Sequence, residues 1–515
     1  MLLTDELLLF YKRCQRRVFL DVYGNRSDQD PEQDFLLKLR QDSFEHRQAV
    51  FDLAPYQSPV YPSGNWQEGA QATLELMQQG VERISQALLL VQTPQGITLL
   101  SRPDLLVKQP GESSFGDWIY TPRNIKIGRR PKPEYQIVAA FSAHLLAAMQ
   151  GVLPKTAGLI LRDRDSYTVN LERWMPLMHD LLAGCMEMLL LRQEPEVFIS
   201  RQKCSLCQWY SSCYAIAKRE EHISLLPGVT PSRYRDLQTL GVVTVESLAQ
   251  TTISTLEPLV GIEVASDLVQ QAQAKVQNRA MLRQIPRNTF EDFLDYPEDG
   301  SPLNGNGRLS HLSSVADVIP TASIELYFDI EAEPELKLDY LLGVWVVDRR
   351  DRTQKFYPFL AEYPNDEALI WQQFIDLVSF YPDAPIFHFS DYEVEAVKRL
   401  GKLYQTPKQH LRAILSRFVD LHERVTNTVM LPVESYSLKH LARWLGFEWR
   451  DPGITGSQCV CLYNQWLKTG DRSALDAIMR YNEDDCRATY HLKTWLVNFL
   501  EEHLDSTQSY AKIFE

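Results

Sequence analysis

No uncharged apolar run in the chain approaches the roughly 20 residues that span a bilayer. No membrane association is therefore expected. The opening, Met1-Leu-Leu-Thr-Asp-Glu-Leu-Leu-Leu-Phe10, has no basic stretch ahead of its apolar one and does not read as a signal peptide. Cysteine is scarce. Eight in 515 residues do not build a disulfide scaffold, and the expectation is a reducing, cytoplasmic setting with thiols free to bind metal. Net positive charge is lacking too. At −14 the chain is unlike a passive nucleic-acid coat, which is usually basic. A surplus of acids still suits a metal site built from carboxylates, with contacts to polyanions left to local basic patches. No P-loop of the form Gly-x4-Gly-Lys-Ser/Thr occurs, so any duplex unwinding would need a helicase partner.

A chain of this length should hold two or three domains. Residues 1–218 mix helical periodicity with short strand-like runs and end just past a cysteine triplet. Residues 222–280 read as short amphipathic helices separated by glycine turns. Residues 281–321 are rich in turn formers and read as a linker. Residues 322–505 alternate strand and helix patterns. The fold class expected is α/β multidomain, with a small helical module between two α/β domains.

In the last block, Ile324-Glu-Leu-Tyr-Phe-Asp-Ile-Glu331 alternates as a strand, so Asp329 and Glu331 project from one face. Paired carboxylates repel and are tolerated where a divalent cation neutralises them. Further on, Ser390-Asp-Tyr-Glu393 reads as the opening of a helix with Val397 and Leu400 inward, and Glu393 or Asp391 supplies a third acid. Tyr481-Asn-Glu-Asp-Asp485 reads as the start of another helix, with Tyr481 and Asp485 on one face. Four such acids can hold two Mg²⁺ or Mn²⁺ ions about 3.5–4 Å apart for phosphodiester hydrolysis, with Tyr481 orienting the attacking water. In this order the motifs resemble the tyrosine-bearing branch of the DEDD exonuclease superfamily, which has an RNase H fold. The block looks most like the YprB-type RNase H-like exonucleases. Val419-Asp-Leu421, Tyr436-Ser-Leu-Lys439 and Leu445-Gly446 resemble that family's later segment. The resemblance implies 3′→5′ exonuclease activity.

In the first block, Asp104 follows a strand-like run and Lys126 ends another. An acid followed by a strand carrying acid-x-Lys is one way to build a metal-dependent nuclease site. Here the position two before the lysine is Asn124, which brings an oxygen but no charge. Gln136 is present, but Phe141 breaks a strict Gln-x3-Tyr spacing. Arg123, Lys126, Arg129, Arg130 and Lys132 form a basic run suited to phosphate. Cys14 stands alone near the start, and Cys204, Cys207 and Cys213 follow as C-x2-C-x5-C. Four thiolates can hold an iron–sulfur cluster or a zinc ion. Cys185, Cys459, Cys461 and Cys486 lack ligand spacing and read as ordinary thiols.

With Tyr11-Lys-Arg-Cys-Gln-Arg-Arg17, this block resembles the iron–sulfur subclass of RecB-like, PD-(D/E)xK nucleases, which includes AddB-type and CRISPR-associated members. The resemblance implies a restriction-endonuclease-type α/β domain and a [4Fe-4S] cluster on the four cysteines. It also implies His46 and Asp104 as metal ligands and Lys126 as the catalytic lysine.

The middle segments Leu225-Leu-Pro-Gly-Val229 and Leu259-Val-Gly-Ile262 resemble helix-hairpin-helix motifs, whose exposed backbone N–H groups bind phosphate. Taken together, the expectation is a metal-dependent nuclease acting on nucleic acid, with DNA favoured over RNA. The N-terminal domain would be a second nuclease or a DNA-guiding scaffold. The alternative is a nucleic-acid-binding adaptor with degenerate nuclease sites.

Overall fold

In a computed structural model of the chain the described residues are 1–162, 166–283 and 319–511. They divide into two compact units, Met1–Ile216 and Ala217–Glu515. The helical region therefore belongs to the second unit rather than standing as a third.

Among the described residues the first unit carries β1 (Leu2–Thr4), β2 (Arg83–Ser85), β3 (Leu89–Gln92), β4 (Thr98–Ser101), β5 (Leu105–Ser113), β6 (Gly116–Ile125), β7 (Thr156–Ile160) and β8 (Ser166–Asn170). They form a small sheet, β1–β4–β3, and a larger one, β2–β5–β6–β7–β8. The helix Pro133–Gln150 is apolar on nearly every side, with Ile137, Val138, Ala139, Ala140 and Phe141 all buried. A helix of that composition has to lie in the core. Asp104 sits in the connection from β4 to β5. Leu105 pairs with Arg123 across the sheet, which sets Asp104 beside Asn124 and Ile125 at the end of β6.

The second unit opens with helices Pro231–Thr239, Val245–Gln250, Ile253–Val260 and Ile262–Gln277. Gly261 turns between the last two at φ 82°, a conformation that glycine adopts without a steric penalty. β9 (Met281–Leu282) then pairs antiparallel with β15 (Val429–Met430), and the Arg283 N–H donates to Thr428 O at 2.9 Å. So the expected linker begins as a strand, because its first backbone groups find partners. Residues 284–318 of it lie outside the described residues. Gln271 on Ile262–Gln277 donates to Leu431 O at 2.6 Å and accepts from the Tyr436 hydroxyl at 2.9 Å.

The main sheet uses β10 (Ile324–Glu333), β11 (Leu338–Asp348), β12 (Thr353–Leu360), β13 (Ile386–His388) and β14 (Phe418–Asp420). Its order is β12–β11–β10–β13–β14; β12, β11 and β10 run antiparallel, and β13 and β14 run parallel to β10. Along β10 the side chains alternate. Leu326, Phe328 and Ile330 enter one core, where Phe328 stacks on Phe374 of helix Glu367–Phe380 at 4.6 Å. Glu325, Tyr327 and Asp329 meet the long helix Arg472–Ala511 on the other face, through Lys493, Tyr490 and Asn482 in turn.

That helix begins at Arg472, nine residues before Tyr481. The expected start at Tyr481 is wrong because Ala474, Leu475 and Ile478 already bury one face at helical spacing. Tyr481 and Asp485 are thus held mid-helix rather than at a fraying end.

Candidate active site

Asp329 and Glu331 leave β10 on one face, with a register shift between Glu331 and Ala332. Asp485 comes from the long helix. Among the described residues these three bring carboxylate oxygens within 4.8 Å of one another. Two carboxylates at that separation repel by about 3 kcal/mol at an effective dielectric of about 20. Burial first, then Asp485 and the other acids, hold Asp329 well above the usual carboxylate range; Glu331 is raised in the same way. Burial pushes Asp485 up to about 6, although the Trp449 indole N–H donates to it at 2.7 Å. Asp329 has one neutral partner, the Asn482 amide, at 2.6 Å. A group so short of positive charge fits a divalent cation, which would neutralise it.

Glu393 lies near enough to raise Asp329 and Glu331 but is not one of the three acids within 4.8 Å, and Asp391 is turned out to solvent. Glu393 is buried, its charge bears on both Asp329 and Glu331, and its Oε2 has no hydrogen-bond partner. His388 Nδ1 stands 3.7 Å from that oxygen and also contacts Ser390 O at 2.8 Å. Asp391 is exposed at the N-cap of helix Tyr392–Leu403. The turn before this helix is tight: Ser390 takes φ 87°, and its N–H donates to Asp420 at 2.9 Å. A non-glycine residue held there is strained and persists because its surroundings fix it.

Burial, then Asp485, Glu331 and Asp329, push the Tyr481 phenol far up, so it remains a neutral donor beside the acids. Lys439 lies 4.5 Å from the Tyr481 ring centre and donates to Ile454 O at 2.6 Å. Burial lowers its pKa, while Asp485 and Glu331 pull the other way. Sequence reasoning missed Asn482, Trp449 and Gly343. Asn482 adjoins Tyr481 and could have been suspected. Trp449 carries no local signal.

These shifts set a pH dependence. The folded, metal-free protein holds protons on the raised acids that the unfolded chain has already released, so its stability falls as pH rises from about 4 through 6 and beyond. Melting in chelator should therefore occur at a lower temperature at pH 7.5 than at pH 5.5. Mn²⁺ should recover the loss at pH 7.5. A flat profile, or one with the opposite slope, would show that the acids are not held close.

In the first unit, Asp104, Asn124 and Lys126 line one cavity of about 610 Å³. His46 is not among its lining residues, but Arg47 is, and Arg47 Nη1 stands 3.8 Å from Asp104 Oδ1. Neighbours on a helix point about 100° apart, so the helix Asp34–Phe51 offers Arg47 to Asp104 rather than His46. Asp104 also accepts the Ile125 N–H at 2.6 Å, and burial raises its pKa despite Lys126 nearby.

Cys14 interrupts helices Asp5–Arg13 and Gln15–Tyr23 in an extended conformation. Cys204, Cys207 and Cys213 come from the end of the unit, and Cys14, Cys207 and Cys213 are close enough to Cys204 to raise it after burial does. Among the described residues no three of the eight cysteines bring their sulfurs within 4.8 Å of one another. Burial pushes Cys204 up to about 11, against a Ser200 N–H that donates to its Sγ at 3.3 Å. Arg16 beside Cys213 and Arg17 beside Cys207 favour the thiolates.

Residues 326–497 match a family model described as the RNase H superfamily. No curated protein matches the chain. The C-terminal part therefore contains an RNase H-like α/β domain, and such a domain implies a nucleic-acid substrate. With the acidic group Asp329, Glu331 and Asp485, it is consistent with a metal-dependent nuclease. The match leaves the N-terminal unit outside it.

Proposed function

We propose that the chain is a metal-dependent 3′→5′ exonuclease of the DEDD type that cuts through its C-terminal site. The observation that carries this reading is the close group of Asp329, Glu331 and Asp485, with Tyr481 one helical turn from Asp485 and the buried Glu393 near enough to raise Asp329 and Glu331. A bound Mg²⁺ or Mn²⁺ pair would activate water and stabilise the leaving oxygen. The chain's own residues do the rest. Asn482 and Trp449 fix Asp329 and Asp485 in their rotamers. His388 stands behind Glu393. Tyr481, neutral at working pH, can donate to or orient a water beside the acids.

The test is release of label from 3′- and 5′-labelled single-stranded DNA and RNA in Mg²⁺ and Mn²⁺. Stepwise shortening from the 3′ end supports the proposal. Internal cuts, or no cleavage under any metal, refute it. The same assay on RNA decides whether DNA is the preferred substrate.

In this reading the N-terminal unit guides DNA and is braced by a [4Fe-4S] cluster on Cys14, Cys204, Cys207 and Cys213. One tetrahedral zinc ion with Zn–S of about 2.3 Å needs sulfurs about 3.8 Å apart. Among the described residues no three cysteine sulfurs lie within 4.8 Å of one another, as a single tetrahedral ion would require. Protein purified without oxygen should carry about four irons and acid-labile sulfide per chain. Cys207→Ser should lose both. Stoichiometric zinc without sulfide would replace the cluster by a zinc site.

A further inference from the structure

We infer that the cavity of the N-terminal unit is a metal-independent binding site for one nucleotide unit of single-stranded DNA. This rests on the reading of that unit as a DNA guide and names where and how it would hold the strand.

The place where a RecB-like nuclease would hold its metal does not suit one here. Asp104 is engaged by the Ile125 N–H and by Arg47, and the neighbouring position is the neutral Asn124. Asp5, the second buried acid of the cavity, accepts N–H groups from Glu6 at 2.9 Å and Arg102 at 3.0 Å. The lining cations Arg47, Arg102 and Lys126 then stand beside one further acid, the exposed Glu6. Arg102 and Lys126 make no ion pair among the described residues, and Arg47 holds only a long one. A phosphate is the anion that such a set takes without reading sequence.

Two features point past a bare phosphate. Asn124 is 1% exposed, and its Oδ1 has no hydrogen-bond partner. A buried acceptor left so costs about 1–3 kcal/mol unless something donates to it. A base amino group or a sugar hydroxyl would supply that donor. The wall also carries Phe44, which is 56% exposed, so an aromatic face is open for a base to stack on. At about 610 Å³ the cavity lies within the range of small-ligand sites, roughly 300–1,000 Å³.

The experiment uses the full chain with Asp329→Asn, which stops cutting at the C-terminal site, in chelator. Fluorescence anisotropy with a labelled oligothymidylate reads affinity, with a blunt duplex of equal length and free thymidine monophosphate as further probes. On that background Phe44→Ala and Lys126→Gln should each weaken single-strand binding about tenfold. Lys126→Gln should also reduce the salt slope by about one. Duplex binding should be unaffected, and the mononucleotide should compete only weakly. Because Phe44 is exposed, its loss leaves the core intact.

Unchanged single-strand affinity in both variants would overturn the inference. So would Mn²⁺-dependent tightening that Asp104→Asn abolishes, since that marks a metal site. Wild-type cleavage keeps the two readings apart. If the wild type does not cut but both variants still lose single-strand binding, the exonuclease proposal falls and the cavity stands.

Discussion

Asp329→Asn is expected to abolish metal-dependent cleavage and, at the same time, to stabilise the metal-free protein. In the proposed mechanism, ligation of the metal by the β10 acids would contribute several kcal/mol of transition-state stabilisation. Its loss should cost at least roughly a thousandfold in rate. The gain in stability has a separate cause. Asp329 is held well above its usual pKa by burial and by Asp485, Glu331 and Glu393, so its ionised form is a strain on the empty site at neutral pH. Asparagine keeps the shape and can still meet the Asn482 amide while removing one charge. In chelator at pH 7.5 the variant should melt higher than wild type, and Mn²⁺ should raise its melting point less. A variant that loses both activity and stability would mean that Asp329 holds the fold rather than a metal. Residual cleavage insensitive to Asp329→Asn but lost in Lys126→Ala would mean that the N-terminal site also cuts.

Gly343→Ala should lower both activity and stability, although Gly343 lies outside the acidic group. It pairs with Asp329 across β10 and β11. A Cβ built there would overlap the Asn482 Oδ1, lie 2.8 Å from its Cγ and 3.0 Å from the Phe356 ring. Here glycine serves close approach rather than an unusual φ. The amide that holds Asp329 enters through the space a side chain would fill. Cys486 packs at the same point, with its thiol 3.4 Å from Gly343 O, so the helix cannot easily retreat. Overpacking of this kind costs about 1–3 kcal/mol. Loss of a positioning partner typically costs about 10–100-fold in activity. The double variant with Asn482→Ser separates the two effects. Removing the clashing amide should return most of the stability and little of the activity. If Gly343→Ala alone is silent in both assays, Asn482 is not what orients Asp329.

The acids of β10 and the pair Tyr481 and Asp485 were legible because strand and helix periods are local. Two residues along a strand, or four along a helix, share a face whatever the fold. The choice between Asp391 and Glu393 was not local. It depends on how far the helix Tyr392–Leu403 is rotated, and that is set by the turn at Ser390 and its bond to Asp420, thirty residues on. Asn482, Trp449 and Gly343 were hidden for the same reason: each matters through a partner distant in sequence. The long helix was misjudged because Tyr481 and Asp485 drew attention to themselves, while Ala474, Leu475 and Ile478 were already continuing the pattern. In the N-terminal unit the lining residues Asp104 and Lys126 were found by spacing. His46 was carried over by resemblance, and its neighbour Arg47 takes the inward position.

The short pairing of β9 with β15 has a consequence for chain topology. Arg283 is fastened by its backbone to Thr428, and Ile319 is already buried where the chain returns. Residues 284–318 thus join two points that the surrounding structure has fixed independently. The attachment of the helical module is carried by Gln271, Tyr436 and the paired strands. The helical module is thus tied to the sheet domain by bonds made across space, and its placement would survive a break in covalent continuity between the two.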